Sequence, residues 1–349
     1  ASQKQSLRVR RLDLQVLTAL AQGLPLPEAL RLQFAEHAPS GWLETLEASW
    51  RGPLSALEEW SARGRGSNLE LAARRLDHGA PGMQPGIPGV AGLSVAWQAD
   101  ASGGEAALTI EDGALEFPGV FEEPRIPVDM LSARGNWKVE EGGHITLDVP
   151  DLTLSNADAS GNFQLRWHSG AGDDGADPRF PGTIDLRGAL TRGNGARVWR
   201  YLPLVVPVDA REYVREAITE AELGDVSVRV RGRLREFPFN LPGEEGEFYI
   251  GGRVTDAVMA YVPPSLQPAG EPPWPVLEQL TGVLEFERAS MRVRDASALV
   301  QGHPGWAFGE IRADIADLDE TRVVVAAEGA GKLGSALGIV RGSPIAELI

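Results

Sequence analysis

The sequence contains no cysteine. That excludes a disulfide framework, a thiolate zinc site and a cysteine nucleophile. It also lacks any apolar run approaching the roughly 18–20 residues of a membrane-spanning helix. Residues 1–11 are polar and basic, without the apolar core of a signal peptide. Both ends read as cuts from a longer chain, with any membrane anchor lying elsewhere. Positive charge is in short supply: 33 Lys and Arg stand against 49 Asp and Glu, a net charge of −16. Such a surface repels phosphate backbones at long range, so no nucleic-acid partner is expected. An acidic exterior does not oppose an apolar interior that holds lipid tails. Histidine is scarce too. None of His37, His78, His144, His168 and His303 lies three or four residues from another, so no local metal pair exists.

Two motifs come close to a ligand site and fail. The run 328–332 ends in Gly331-Lys332 like a phosphate loop, but Ala326 stands where the first glycine belongs and Leu333 where the hydroxyl residue belongs. The acidic runs 172–177 and 314–320 lack the full twelve-residue calcium pattern and read as solvated turns. No catalytic residue, cofactor or metal is assigned, and the chain is not expected to be an enzyme.

What is present is a β pattern. Gly (41) and Pro (25) are spread between strand-like runs and act as turn punctuation. Ile145, Leu147 and Val149 alternate with polar residues, as do Phe163, Leu165 and Trp167; Val226, Val228 and Val230; Leu284 and Phe286; and Met291 and Val293. Successive side chains of a strand point to opposite faces, so this is the signature of strands with one dry and one wet face. Antiparallel sheets permit such one-sided burial. Short links at 111–113, 141–143 and 287–290 read as hairpin turns, so the strands form a meander. Related phrases at 112–117 and 281–286 hint at a repeating architecture.

The expected fold is therefore mainly β: an elongated antiparallel meander with short helical segments. The chain divides into a mixed helix and strand segment (1–78), a Gly/Pro-rich connector (79–92), a first β segment (93–191), a helical insertion (192–220), a second β segment (221–330) and a C-terminal helix (331–349). In the first segment, helices are expected near 12–20 and 28–36 and strands within 41–71. In the insertion, 195–201 and 209–218 read as two helices around Pro203 and Pro207, with Asp209 as N-cap. Arg197, Arg200, Arg211 and Arg215 read either as a solvated helix face or as partners for phosphate headgroups. The nine tryptophans either fill a core or form a belt at a lipid boundary.

The segment Arg192-Gly-Asn-Gly-Ala-Arg-Val-Trp-Arg-Tyr-Leu-Pro-Leu-Val-Val-Pro207, followed by 211–218, resembles the central region of the YhdP family of AsmA-like proteins of Gram-negative bacteria. Phe237-Pro238-Phe239, the run 256–261, Trp274-Pro275 and 280–286 agree with it, as do Arg11-Leu-Asp-Leu14 and the stretch 41–52. The resemblance implies an inner-membrane anchored, periplasmic parent whose long β-groove moves phospholipids between inner and outer membranes. It implies that the meander curls into an open gutter lined by Leu108, Ile110, Leu115, Phe117, Ile145, Leu147, Val149, Phe163, Leu165, Trp167, Ile184, Leu186, Val226, Val228, Val230, Phe248, Ile250, Leu284, Phe286, Met291 and Val293. Alternation by itself favours an ordinary closed core; the resemblance turns the reading toward a groove. The expected partners are phospholipids, membranes reached through other parts of the parent, and envelope proteins. The alternative function is a scaffold that assists outer-membrane protein assembly through exposed strand edges. An enzyme acting on an envelope polymer would instead need a polar, carboxylate-lined cleft.

Overall fold

The computed structural model describes residues 4–20, 38–53, 59–75, 86–170, 180–241, 243–318, 320 and 322–347. The helix expected over 28–36 and the acidic run 172–177 fall outside them. Among the described residues fifteen strands follow one another in one antiparallel sheet whose strand order is the chain order, and the sheet is not closed. They are β1 (Gln5–Asp13), β2 (Ser40–Arg51), β3 (Glu59–Leu71), β4 (Gly89–Asp100), β5 (Gly103–Glu116), β6 (Arg125–Val139), β7 (Ile145–Ser155), β8 (Ala159–His168) and β9 (Thr183–Asn194). The rest are β10 (Ile218–Arg233), β11 (Gly246–Met259), β12 (Leu277–Glu287), β13 (Ser290–Val300), β14 (Trp306–Ile315) and β15 (Val323–Gly331). Among the described residues three α-helices accompany them: α1 (Leu14–Leu20), α2 (Val208–Ala217) and α3 (Leu333–Arg341). The chain packs as two units. The first is Ala1–Ala157, Asn162–Asp185 and Pro203–Val205; the second is Asp158–Gly161, Leu186–Leu202 and Val206–Ile349.

Strict alternation does not run the length of the strands. In the second unit, five consecutive strands carry the same interruption. Leu223 and Val226 flank Asp225 (φ 52°), Val254 and Ala257 flank Asp256 (φ 50°), and Leu277 and Leu280 flank Gln279 (φ 50°). Val293 and Ala296 flank Asp295 (φ 50°), and Phe308 and Ile311 flank Glu310 (φ 47°). The pairing register shifts at each place. These are β-bulges. One extra residue in the left-handed conformation turns the pleat by half a period, so apolar residues three apart stay on the same face. Asp dominates because its short polar side chain tolerates the left-handed region better than β-branched residues do. The first unit repeats the device at Asn68 (φ 47°), Gly92 (φ 77°) and Asp112 (φ 51°).

Three local expectations are corrected here. Glu111-Asp112-Gly113 is a bulge inside β5, not a hairpin turn. Leu12 belongs to β1, and α1 starts only at Leu14, where the Asp13 carboxylate accepts the N–H groups of Gln15 (2.9 Å) and Val16 (3.2 Å). Pro207, not Asp209, precedes α2; Asp209 lies in its first turn, where a carboxylate favours the helix dipole. The strands expected within 41–71 are β2 and β3.

The insertion between β9 and β10 is held by buried polar contacts within the second unit. A 3-10 turn, Gly195–Tyr201, begins where the Asn194 side chain accepts the Ala196 N–H. Arg200 donates to the Asp158 carboxylate at 2.6 Å, and the Tyr201 hydroxyl donates to the same oxygen at 3.0 Å. Asp158 is buried, and these donors take the place of the water its side chain has lost. Buried Arg211 donates to the Val206 carbonyl, and the Arg215 guanidinium lies 4.1 Å from the Trp199 ring centre. Three of the insertion's four arginines are thus engaged by the protein; Arg211 is buried, and Arg200 and Arg215 are half-buried.

The two edges of the sheet differ. β1 carries Arg8, Arg10 and Arg11, charges that discourage strand addition. All nine residues of β15 are exposed, and its first three, Val323, Val324 and Val325, remain 50%, 59% and 62% accessible.

The bulges yield a stability test. Asp256→Val forces a β-branched residue into the left-handed region and is expected to cost about 1–2 kcal/mol. Asp256→Gly, which meets no such strain, is expected to change stability by less than about 1 kcal/mol. The urea midpoints of the two variants check this. Equal losses would mean that the side chain, not the backbone conformation, matters at this position.

Candidate functional site: a two-faced sheet

With the bulges in place, the strand register can be followed across each unit. In the second unit Val228 pairs with Ile250, Ile250 with Phe286, Phe286 with Met291, Met291 with Ile315 and Ile315 with Val323. That is an unbroken apolar row across six strands. Beside it, Gly252, Leu284, Val293, Ala313 and Val325 make a second row. In the first unit Leu12, Leu43, Gly66, Val95, Leu108, Ala133 and Leu152 form a row across seven strands. Leu69, Leu93, Ile110, Leu131 and Leu154 form the next.

The opposite face is equally consistent. Arg8, Glu47, Arg63, Gln98, Glu105, Asn136 and Asp148 pair in order, and Arg166 of β8 reaches Asp148 at 3.2 Å. In the second unit Arg294 grips Glu285 through two nitrogens (2.8 and 2.5 Å), and the Tyr249 hydroxyl donates to Glu285 at 3.1 Å. The bond from Arg294, aided by the one from Tyr249, holds the Glu285 carboxyl below its usual range despite desolvation. Burial pushes the Tyr249 hydroxyl up, and its bond to Glu285 adds to this.

All the described strands belong to this single sheet. No second sheet among the described residues covers the apolar face, and most of its side chains are half-buried rather than buried. The exceptions form two small clusters. In the first unit Ile110, Val128, Leu131, Ala133 and Val149 are fully enclosed, packed by Leu93, Leu108, Leu152 and Leu165. In the second, Ala296, Ala298 and Ile311 are enclosed by Leu277, Leu280, Val293 and Phe308.

The ends of the strands carry aromatic residues. The turn after β10 folds Phe239 onto Gly232 and Gly246, where a Cβ would come within 2.7 and 2.3 Å of its ring. Phe239 is completely buried, and Phe237 packs edge-on against Phe248 of the apolar face with ring centres 5.1 Å apart. In the first unit five tryptophans share the apolar face at one end of their strands. Trp50 pairs with Trp60; Trp97 pairs with Gly64, and Trp137 with Gly104 and Leu147. Trp167, one residue from the end of β8, donates its indole N–H to the Pro181 carbonyl at 2.8 Å. Three of these indoles lie over a neighbouring glycine: a Cβ would sit 3.0 Å from Trp97 at Gly64, 2.5 Å from Trp137 at Gly104 and 2.8 Å from Trp167 at Gly182.

The residues expected to line a dry surface are therefore placed as follows. Leu108, Ile110, Leu115, Ile145, Leu147, Val149 and Leu165 lie on or pack against the first unit's apolar face. Phe163 and Trp167 share the parity of Leu165 on β8, and Ile184 and Leu186 share one side of β9. Phe117 follows β5 and stacks edge-on against Phe121 at 6.0 Å. Val226, Val228, Val230, Phe248, Ile250, Leu284, Phe286, Met291 and Val293 lie on the second unit's apolar face. The sequence reading missed the contributions of β1 to β4, β6, β14 and β15: Val9, Leu46, Val95, Leu131, Ala313 and Val323 among them. On β3 and β14 the signal was the three-residue spacing around Asn68 and Glu310, which a search for strict alternation passes over.

A family model described as YhdP protein matches residues 1–349. The chain belongs to the YhdP family. No curated protein and no solved structure matches it. The YhdP match spans the bulged strands, the insertion and both units. No described helix of this YhdP chain is long and apolar enough to cross a membrane. Among the described residues no group of three His, Asp or Glu side chains is placed to hold a metal ion.

Two outcomes test this two-faced arrangement. Gly104→Ala places a methyl 2.5 Å from both the Gln98 carbonyl and the Trp137 ring. It is expected to cost about 1–3 kcal/mol and to shift tryptophan emission. Gly224→Ala, with nothing within 4 Å, is the control and should be silent in emission. On the polar face, the lowered Glu285 carboxyl stabilises the fold above the ordinary carboxylate range, and that contribution is lost as pH falls through its depressed value. Glu285→Gln should accordingly flatten part of the acid decline in melting temperature while leaving its shape near neutrality unchanged.

Proposed function

We propose that this chain is a segment of a periplasmic bridge that receives phospholipids on its apolar face and passes them between the inner and outer membranes. The observation that carries the reading is that, within each unit, apolar rows run from strand to strand along one face of a sheet one layer thick. Membership of the YhdP family, a family of envelope proteins, supports it, and an open antiparallel sheet is compatible with lipid transport. An apolar face in water costs free energy unless something covers it. Acyl chains meet that need: each CH₂ taken from water contributes about 0.8 kcal/mol. Neighbouring strands lie about 4.8 Å apart, and each offers the next equivalent apolar row. A tail moving one strand along therefore exchanges one such contact for another, and the burial term cancels. No deep pocket is required, in keeping with a sequence that shows no binding motif.

The test is solvent extraction of the purified chain followed by mass spectrometry. About one phospholipid or more per chain is expected, lost when Val228→Asp and Phe286→Asp are combined. The two positions face the same surface two strands apart, on either side of Ile250. Full lipid occupancy in a folded double variant would sink the reading. A lipid-free chain carrying a peptide strand along the exposed edge of β15 would favour the scaffold reading instead.

A further inference from the structure

The apolar face of the first unit is not alike from end to end. At one end stand the five tryptophans, all half-buried. Toward the other, the same strands carry Leu93, Ile110, Leu131 and Leu154, with Ile110 and Leu131 only 1% and 5% exposed. Tryptophan has an apolar body with one N–H donor, and it concentrates where hydrocarbon meets water. The glycines beneath Trp97, Trp137 and Trp167 let these rings lie flat across the neighbouring strand.

We infer that the tryptophan end of the first unit is the headgroup side of a bound phospholipid, whose tails run along the strands toward the aliphatic end. The inference rests on the lipid reading above and adds a direction to it. The dimensions agree. From Trp137 to Leu131 the strand rises roughly 20 Å, and one leaflet of hydrocarbon is roughly 15 Å thick. A tail anchored by its ester at Trp137 thus ends near the half-buried Leu93 and Leu154, which border the enclosed Ile110 and Leu131.

The test uses a chain with Trp42, Trp199, Trp274 and Trp306 replaced by Phe, leaving the five rim tryptophans as emitters. It is loaded from phosphatidylcholine vesicles brominated either near the ester end or near the methyl end of the acyl chain. The protein is freed of vesicles by flotation before its fluorescence is read. Quenching by the ester-end bromine is expected to be about twofold stronger or more, because bromine acts at contact and the rings sit at the interface. Equal quenching, or stronger quenching by the methyl-end bromine, overturns the orientation while leaving lipid binding intact. No quenching by either probe, together with no extractable lipid, overturns the lipid reading itself. Should the fourfold variant not fold, Trp137→Phe in the otherwise unaltered chain gives the same decision. It should remove more of the ester-end quenching than of the methyl-end quenching, and an equal loss of both overturns the inference.

Discussion

A sheet one layer thick has only one way to separate dry from wet, which is the side to which each side chain points. Every other feature of this chain answers to that constraint. A strand of 16 residues such as β10 cannot hold strict alternation while it twists with its neighbours, and one slipped residue would send its valines into water. The bulges at Asp225, Asp256, Gln279, Asp295 and Glu310 absorb the mismatch, one in each successive strand. They let Val228, Ile250, Phe286, Met291, Ile315 and Val323 meet in one row. The charged face is then fixed as a by-product: Arg8, Glu47 and Arg63 fall opposite one another because Val9, Leu46 and Gly64 do.

The parts of the fold legible in the sequence were those where alternation is uninterrupted. Val226 to Val230, Leu284 with Phe286, and Ile145 to Val149 announce their strands because each lies on one side of a bulge. The insertion was legible because two short helical runs are separated by prolines. What alternation hid was the continuation of each strand beyond its bulge. Asp112-Gly113 was read as a turn for a sound chemical reason: turns and bulges both need a residue that accepts positive φ, and Asp and Gly serve both. Only the apolar residues on either side, Ile110 and Leu115, distinguish the two, by remaining on one face. The helix N-terminus was misplaced because Pro207 fixes the entry to α2 two residues before the better capping side chain.

The candidate surface was partly legible in the same way. Twenty-one residues were named from alternation and resemblance, and those on β5, β7, β10, β11, β12 and β13 lie on the two apolar faces. The tryptophan end could not be read. Trp50, Trp60, Trp97, Trp137 and Trp167 are spread over more than a hundred residues of sequence, and only the pairing register brings them to one end of one face. The role of Arg200, Arg211 and Arg215 was equally hidden, because their partners Asp158, Val206 and Trp199 belong to other turns.

The bulges also limit how such a sequence can change length. Removing the residue with positive φ from a strand restores perfect alternation locally, yet it inverts every side chain on one side of the deletion relative to the neighbouring strands. Adding one residue to a regular stretch does the same. Within the strands, length can therefore vary only in pairs or by gaining and losing whole bulges, whereas the connections between strands are free to grow by any number. The 23-residue insertion that holds α2 sits in such a connection, between the end of β9 at Asn194 and the start of β10 at Ile218. In a protein of this design, new elements enter at the ends of strands, and the strands themselves keep their count.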